Sequence, residues 1–440
     1  MVPGSRNGSP RAWRASIAST PDSRAALFAL EQIGIKLGLE QIRGLVAALD
    51  HPDHAFPSIV VAGTNGKGSV AAMVERGLRA AGYHTGRYTS PHLVRLEERF
   101  AIDGEPISAE TLNAAAVRVL RAGTHLPAPP SFFEATTALA LDVFREAQVD
   151  VAVLEVGLGG RLDATNVVSP IAVAITSIDF DHEQYLGTSL EAIAAEKAGV
   201  IKPGCTVVLS DNPPAVVGVV AERCRAVSAT LVRARDGVDV QTSPVEGRLT
   251  MLVTTPVRHY APMTLGLRGA HQATNALTAI RLMEQFTPGG PLHVPEDAIR
   301  TGIQDVVWPG RLELVRHGET EVLIDGAHNP AGAQALAEYV RQTYGRRLPM
   351  VVGVMRDKKI DDVLARLAPA ASQFFFTSPD TPRAATPEEL VAAAARAAAL
   401  VPAEAVRDPL EGVRLAAAHG RPVVVAGSLY LAGEIRARLS

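Results

Sequence analysis

A glycine-rich run that begins at Gly63 contains the residue types that bind phosphate. It reads GTNGKGS over residues 63–69, follows the apolar residues 59–62 and precedes a helical pattern. Glycines let backbone N–H groups wrap around phosphate oxygens, the helix N-terminus favours an anion, and Lys67 adds a positive charge. The spacing departs from the strict GxxxxGKS/T pattern, because Gly68 separates Lys67 from Ser69. A plain glycine-rich turn is the alternative interpretation.

Two further observations favour a phosphate loop and indicate its nucleotide. Only six of the 43 basic residues are lysines, so a lysine inside this loop stands out, although biased codon use would produce the same imbalance. No N/TKxD sequence, which reads a guanine base, occurs in the chain. The sequence therefore predicts a loop that binds ATP and not GTP.

Polar stretches follow three other predicted strands. They are TSPHL (residues 89–93), LEVGLGGRLDATN (residues 154–166) and SIDFDH (residues 177–182). Because the carboxyl ends of parallel strands meet at one edge of a sheet, we expect Ser90, Glu155 and His182 to lie near the phosphate loop. Mg²⁺ prefers oxygen ligands and substrate phosphates and keeps several waters, so these side chains would be a sparse but sufficient set. Taken singly, a surface histidine or an ordinary strand-end glutamate is the alternative.

The elements that must position these residues alternate between short β-rich runs and amphipathic, alanine-rich stretches. The predicted strands are 58–62, 86–88, 151–155, 171–176, 206–209, 322–324, 350–354 and 423–426. The predicted helices are 69–81, 330–344 and 429–439, with a surface helix over 391–400. This alternation predicts an α/β fold with parallel sheets in doubly wound layers. Residues 232–265 differ, since they are β-rich with turns and predict an antiparallel subsheet.

The length of the chain predicts two domains. At 440 residues it is too long for one typical core. A turn signal at 308–310 precedes a new β/α series, and we place the boundary there. We expect a disordered leader at 1–24, an ATP-binding domain at 25–309 and a smaller α/β domain at 310–440. The leader is rich in arginine and serine, so a transit peptide is the alternative.

Composition argues against several classes of partner and location. The net charge is -3, which gives no basic surface for nucleic acid. No apolar run reaches the ~18 residues of a membrane helix, and the leader lacks the apolar segment of a secretory signal. The two cysteines, Cys205 and Cys224, lack metal-binding spacing. They fit a reduced cytoplasmic protein with structural thiols.

Taken together, these segments resemble a known enzyme family. The sequences GTNGKGS, TSPHL, EVGLGGRLDATN, FDH, EKAGVIK, WPGRLE, DGAHNP and GSLY resemble those of folylpolyglutamate synthase/dihydrofolate synthase, a branch of the Mur ligase superfamily. The resemblance runs from about Gly34 to the C-terminus. It implies a P-loop-type N-terminal ATPase domain with a mostly parallel sheet, followed by a smaller Rossmann-like domain.

The resemblance also implies a reaction. Such enzymes phosphorylate a carboxylate with ATP, and the amine of L-glutamate then attacks the acyl phosphate to give an amide, ADP and phosphate. The substrates would be a folate or dihydropteroate, L-glutamate and ATP, in a site closed about a hinge near Pro309. A monomer is expected, because the site resembles one that is built within a single chain.

Roles for individual residues follow from the resemblance as well. ATP contacts would come from Asn65, Gly66, Lys67, Gly68, Ser69, Asn275, Arg311 and Asp325. Mg²⁺ would be held by Ser90, Glu155 and His182, and a carbamylated Lys197 would hold a second Mg²⁺. Lys67, Lys197, Arg311 and His328 would form the catalytic set. A surface lysine at a helix end is the alternative for Lys197, and an ordinary helix-face asparagine is the alternative for Asn275.

The pterin side of the resemblance comprises two short stretches. The implied contacts are Phe132, Phe133, Glu134, Leu162, Asp163 and Ala164. An aromatic face beside an acceptor suits a pterin ring, and a core phenylalanine pair at a helix start is the alternative. Residues 34–39 resemble the family's flexible pterin-side loop. Some bifunctional members carry an acid where Lys36 stands, which bears on the use of dihydropteroate.

Two rival functions stay open at this point. Another Mur-type ligase would join an amino acid to a peptidoglycan precursor, but LGGRLDATN and the pterin-side stretches resemble the folate branch. A regulatory ATP-binding switch without ligase chemistry is the rival from another class. Such a switch would need neither Lys197 nor the DGAHNP loop.

Overall fold

The computed structural model describes residues 22–34 and 36–439. These residues form two compact units. The first comprises 22–90, 97–234 and 278–299, and the second comprises 91–96, 235–277 and 300–439. The predicted leader at 1–24 lies outside the described residues as far as residue 21, and the domain limits at 24/25 and 309/310 stay predictions.

The first unit is built on an eight-stranded sheet. Its strands are β1 (Ser58–Ala62), β2 (Thr85–Tyr88), β3 (Phe100–Ile102), β4 (Glu105–Pro106), β5 (Val151–Glu155), β6 (Pro170–Ile175), β7 (Thr206–Leu209) and β8 (Thr230–Arg233). The order is β4-β3-β2-β5-β1-β6-β7-β8. All neighbours from β2 to β8 pair in parallel, and only β3 and β4 at one edge run antiparallel. The mostly parallel sheet predicted from the sequence is confirmed.

Helices cover this sheet and bury its central strands on both faces. They are α1 (Ser23–Ala29), α2 (Glu40–Ala48), α3 (Lys67–Ala80), α4 (Ala109–Gly123), α5 (Phe132–Glu146), α6 (Glu183–Leu186), α7 (Leu190–Ala198) and α8 (Pro214–Ala226). Every residue of β1 and β5 is buried, which explains why these strands read as unbroken apolar runs. Helix α3 packs on β1, β2 and β5.

The second unit contains two further sheets. Strands β9 (Asp239–Val245), β10 (Arg248–Thr254) and β11 (His259–Thr264) form an antiparallel sheet, as predicted for 232–265. The other sheet has the order β12-β13-β17-β14-β15-β16. Its strands are β12 (Glu313–His317), β13 (Thr320–Ile324), β14 (Leu348–Val352), β15 (Ala371–Phe376), β16 (Ala403–Ala405) and β17 (Val423–Ala426). Only β12 pairs antiparallel with its neighbour.

Apolar clusters on both faces of the six-stranded sheet give the layered α/β architecture that was predicted for this part of the chain. Its helices are α11 (Pro330–Tyr344), α12 (Ile360–Leu367), α13 (Pro387–Ala397), α14 (Pro409–Ala417) and α15 (Leu429–Leu439). Two helices precede them, α9 (His271–Met283) and α10 (Glu296–Gln304). Strand β14 lies two residues earlier than predicted, because Leu348 and Pro349 already pair with β15.

Both cysteines are buried and free. Among the described residues, no helix is both long enough and apolar enough to cross a membrane.

Candidate active site

The predicted phosphate loop connects the carboxyl end of β1 to the N-terminus of α3. Gly63 and Gly66 have φ angles of 145° and 89°, which favour glycine. A Cβ atom on Gly63 would also overlap the side chain of Thr176 just beyond β6. Two of the loop's glycines are therefore required by backbone conformation or space, and the local geometry is the strand–turn–helix arrangement that anion binding needs.

The loop is held by the segment that follows β6. The Thr64 N–H donates to Ser177 O at 2.7 Å, and the Thr64 hydroxyl donates to Asp179 O at 3.0 Å. In return, the Asp179 N–H donates to the Thr64 hydroxyl at 3.1 Å. The phosphate loop and the SIDFDH stretch are thus brought together, as the sequence predicted for strand ends at one sheet edge.

Two lysine amines meet at the carbonyl of Gly63. Lys67 Nζ donates to Gly63 O at 3.2 Å and to Thr64 O at 3.1 Å, and Lys197 Nζ donates to Gly63 O at 2.8 Å. Lys197 is only 5% exposed. Burial, aided by the nearby charge of Lys67, lowers the pKa of Lys197 to about 7. A large share of this amine is therefore uncharged near neutral pH, and the residue is not a surface lysine.

The LGGRLDATN stretch fixes α7, the helix that carries Lys197. A Cβ atom on Gly160 would lie 2.7 Å from Lys197 O and 2.8 Å from Glu196 O, so only glycine permits this approach. The Arg161 N–H donates to Glu196 O at 2.7 Å, and the Arg161 guanidinium pairs with the Glu196 carboxylate at 2.8 Å. Asn166 Nδ2 donates to Gly199 O at 3.3 Å, just beyond the helix. This glycine-rich loop is thus a support for Lys197.

Asp163, a predicted pterin contact in the same loop, is buried and organises its neighbours. Its carboxylate accepts hydrogen bonds from Leu158 N at 2.8 Å, Thr165 N at 3.0 Å and Thr165 Oγ1 at 2.6 Å. Burial nonetheless raises its pKa. Ala164 is buried and Leu162 is half-buried. A pterin contact by these residues stays a prediction.

The predicted magnesium ligands lie at or beyond the carboxyl ends of strands in the first unit. Glu155 is the last residue of β5, is buried, and accepts a hydrogen bond from Ser90 N to Oε2 at 3.2 Å. His182 has a φ of 52° and precedes α6, and its side chain is one-third exposed. Glu155 and the backbone of Ser90 are thus brought together, and a magnesium site that includes the Ser90 hydroxyl and His182 stays a prediction.

The predicted pterin residues at the start of α5 have roles in packing and capping. Phe132 is buried, its ring stacks on Phe28 at 5.7 Å, and the Arg99 guanidinium lies 5.1 Å from its centre. Glu134 completes a capping box with Ser131, whose N–H and hydroxyl each donate to Glu134 Oε2 at 2.7 Å. Phe133 keeps partial exposure. A pterin contact by these three residues stays a prediction.

The DGAHNP loop of the second unit is organised by Asp325. This buried carboxylate accepts hydrogen bonds from Leu312 N at 2.9 Å and Ala327 N at 2.8 Å, and burial raises its pKa. A Cβ atom on Gly326 would lie 2.6 Å from Arg311 Nη1, which shows that the arginine lies against this loop. His328 Nδ1 lies 2.8 Å from Gly326 O. Arg311, Asp325 and His328 are thus brought together.

A residue that the sequence interpretation missed, His271, lies beside this group. Burial and the positive charge of Arg311 lower the pKa of His271 to about 4, so its imidazole is neutral at pH 7. Gln272 Nε2 and His271 Nε2 are 3.1 Å apart, and Asn275 Nδ2 donates to Gln272 Oε1 at 2.9 Å. His271 and Asn275 are four residues apart on α9, and this spacing was the available signal.

Comparison with known proteins agrees with this architecture. The model of the Mur ligase middle domain matches residues 61–283, and that of the Mur ligase glutamate ligase domain matches residues 310–429. The phosphate loop, the mostly parallel sheet and the α/β second unit thus define the Mur ligase class.

Relatives and solved structures identify the family within the Mur ligase class. Dihydrofolate synthase/folylpolyglutamate synthase of Bacillus subtilis is 35% identical over 95% of this chain and 98% of its own length. Mycobacterium tuberculosis folylpolyglutamate synthase complexed with ADP has a TM-score of 0.87 and 34% identity, covering 95% of this chain and 99% of its own. A bifunctional folylpolyglutamate synthase/dihydrofolate synthase with Mn, AMPPNP and L-glutamate bound has a TM-score of 0.83 and 30% identity, covering 99% and 100%. The chain belongs to the folylpolyglutamate synthase/dihydrofolate synthase family.

Proposed function

We propose that the protein is an ADP-forming ligase that joins L-glutamate to the carboxylate of folates, and also to that of dihydropteroate. The observation that carries the proposal is the pair of amines from Lys67 and Lys197 at the Gly63 carbonyl. Two lysine amines thus lie at one phosphate loop, and one of them is buried with its pKa lowered to about 7, which a simple nucleotide switch does not need. The related structure with Mn, AMPPNP and L-glutamate bound supports the same assignment.

ATP binding is the role proposed for the phosphate loop. The loop amides at Asn65, Gly66 and Gly68 would donate to phosphate oxygens, with Lys67 as the point charge and Ser69 as the hydroxyl. Because Lys67 contacts the Gly63 and Thr64 carbonyls, its amine lies at the loop where a phosphate would bind. Further ATP contacts are proposed for Asn275, Arg311 and Asp325 of the second unit.

A divalent cation, Mg²⁺ in the cell, would be held by Ser90, Glu155 and His182. When bound, it supplies positive charge to the phosphate oxygens. Glu155 suits this role because its carboxylate is buried at the strand end. Lys197 would contribute as a carbamate: CO₂ adds to its uncharged amine, a proton leaves, and the resulting carboxylate group would hold a second Mg²⁺.

The proposed chemistry has two steps. First, a carboxylate oxygen of the pteroate or folate attacks the γ-phosphorus of ATP, which forms an acyl phosphate and releases ADP. The amine of L-glutamate then attacks the acyl carbon, phosphate leaves, and the amine loses a proton. Arg311 would offset charge on the transferred phosphoryl group, and His328 lies in the same loop. Acyl phosphates hydrolyse readily, so exclusion of water is part of this proposal.

Use of both acceptors is the finer part of the proposal. The Lys36 amine donates to Pro129 O at 3.2 Å, two residues before the Ser131 cap of α5. Support for both acceptors comes from the Bacillus subtilis relative, which is named for dihydrofolate synthase as well as folylpolyglutamate synthase. Residence in the cytoplasm and a monomeric state are further predictions from the sequence.

The test is phosphate release from ATP with L-glutamate and, separately, dihydropteroate or a reduced folate monoglutamate. Turnover with both is the expected result, and turnover with the folate alone would limit the protein to polyglutamate synthesis. If folded protein that binds ATP released no phosphate with either acceptor, the folate assignment would be overturned in favour of another Mur-type ligase. Lys67→Met is the matched inactive control, and ATP hydrolysis without either acceptor would indicate a switch.

A further inference from the structure

A histidine–aspartate–histidine cluster lies outside the candidate active site. Its members are His51, Asp53 and His54, in the connection between α2 and β1. Pro52–His54 forms a single 3₁₀ turn, and the imidazole rings of His51 and His54 stack with their centroids 5.1 Å apart. One nitrogen of each imidazole and one oxygen of the carboxylate all lie within 4.8 Å of one another.

The distances within this cluster are close to those between ligands of one metal ion, and each imidazole lies next to a different oxygen of the carboxylate. His51 Nδ1 lies 3.6 Å from Asp53 Oδ1, and His54 Nε2 lies 3.3 Å from Asp53 Oδ2. Zinc binds imidazole nitrogen and carboxylate oxygen at roughly 2.0–2.2 Å, which puts neighbouring ligands of a tetrahedral ion about 3.3–3.6 Å apart. The imidazole rings are 53% and 68% exposed as side chains, so small rotations can point both nitrogens at one ion.

The burial of Asp53 also indicates that this cluster binds a cation. Its side chain is only 5% exposed, and its Oδ1 atom is buried without a hydrogen-bond partner. A buried carboxylate oxygen that makes no hydrogen bond costs free energy unless a cation satisfies it. Because Oδ1 faces His51, an ion held between the imidazole and the carboxylate would supply this partner.

The backbone that presents the cluster is fixed by neighbouring elements. The His51 N–H donates to Val46 O at 2.8 Å, and the His54 N–H donates to His51 O at 3.1 Å. The Arg145 guanidinium of α5 donates to Leu49 O and, at 3.5 Å, to Asp50 O. The ligands are therefore presented by a preorganised turn, which reduces the entropy lost on binding.

We propose that His51, Asp53 and His54 bind one divalent transition-metal ion per chain, with Zn²⁺ as the natural candidate. Two imidazoles and one carboxylate favour Zn²⁺, Cu²⁺ or Ni²⁺ over Mg²⁺, which prefers oxygen ligands. Three protein ligands leave a position for water or another ligand.

This site is separate from the proposed magnesium site. The cluster precedes β1, whereas the phosphate loop follows it, so the length of the strand lies between them. Five residues of parallel strand span about 17 Å. A metal at the cluster therefore does not take part in phosphoryl transfer, and its loss should leave the Mg²⁺ requirement of the ligase unchanged.

The experiment is calorimetric titration of the metal-stripped, tag-free full chain with Zn²⁺, in millimolar Mg²⁺. Co²⁺ absorption is the second readout, because its visible bands report tetrahedral nitrogen and oxygen ligands. We expect one Zn²⁺ per chain with micromolar affinity. We expect the double variant His51→Ala/His54→Ala and the single variant Asp53→Asn each to weaken Zn²⁺ binding at least about tenfold. His125→Ala, an exposed histidine elsewhere, is the matched control and should bind like the parent protein.

Three outcomes would overturn the proposal. They are failure of the parent protein to bind Zn²⁺, retained binding in the folded double variant, and loss of binding in His182→Ala but not in the double variant. Because His51 and His54 are exposed, their replacement should not unfold the chain, and circular dichroism checks this directly.

Discussion

Lys197 owes its proposed chemistry to burial. CO₂ reacts with an uncharged amine, and the pKa of Lys197, lowered to about 7, supplies one. We expect Lys197→Arg to reduce ligase turnover by a factor of about 100 or more, since a buried guanidinium stays charged and forms no carbamate. We also expect parent activity to fall in CO₂-depleted buffer and to return with bicarbonate, measured as phosphate release.

Lys359→Arg, at an exposed lysine, is the control for this exchange and should leave turnover unchanged. Full activity of Lys197→Arg would show that the buried amine is structural. A parent enzyme insensitive to CO₂ would rule out the carbamate while leaving the amine itself in question.

His271 makes the stability of the protein depend on pH. Its pKa is about 4 in the folded chain against 6.5 when unfolded, so between these values the unfolded state binds more protons. Stability therefore falls as the pH drops from 6.5 towards 4 and is unaffected by this group above that window. If the ring were fully buried, the free energy of unfolding would fall by about 3 kcal/mol across this window. The partial exposure of the ring reduces the expected fall to roughly 1–2 kcal/mol.

Urea unfolding of the parent and of His271→Asn at both ends of this pH window measures the effect. The parent should lose more free energy of unfolding than the variant does as the pH falls. Equal losses would mean that the imidazole is as easily protonated in the folded chain as in water.

The loop from 157 to 166 positions α7 through one close backbone contact. In Gly160→Ala the new Cβ would meet the carbonyls of Glu196 and Lys197, which belong to backbone and cannot rotate away. We expect a loss of about 1–3 kcal/mol in the free energy of unfolding, as for other overpacked sites. We also expect reduced turnover, because α7 carries Lys197. Urea unfolding and phosphate release measure the two effects.

Gly218→Ala is the matched control, because Gly218 lies on the exposed face of α8 with no heavy atom within 4 Å of the added Cβ. It should stabilise the chain by about 0.5–1 kcal/mol and leave turnover unchanged. If Gly160→Ala behaved in the same way, the contact with α7 would not be important.

The chain as a whole should respond to nucleotide through its melting temperature. A ligand at 100 times its Kd adds about 2.7 kcal/mol to the stability of the folded state. For a protein of this size we expect Mg²⁺–ATP to raise the melting temperature by several degrees. Lys67→Met should abolish the shift, and Glu155→Gln should remove its dependence on Mg²⁺. An undiminished shift in Lys67→Met would place ATP elsewhere.

The sequence by itself determined the α/β class, the limits of four strands, the glycine-rich turn at 63–69 and the family. These features depend on residues that are neighbours in the sequence. An apolar run bounded by glycines, for example, predicts a buried strand whatever packs against it. Strands β1, β5, β7 and β17 have the predicted limits, and the antiparallel subsheet falls inside the predicted segment. Errors of one or two residues occur where pairing with a neighbour extends a strand, as in β14.

Only the tertiary structure decided what each side chain touches. Lys197 and Gly63 are 134 residues apart, and no local pattern encodes the burial that lowers the pKa of this amine. The same holds for Glu134, which caps its own helix, and for His271 beside Arg311. Burial and charge proximity are set by the packing of distant segments. The sequence therefore identified the chemistry, and the fold decided which residues have the environment to perform it.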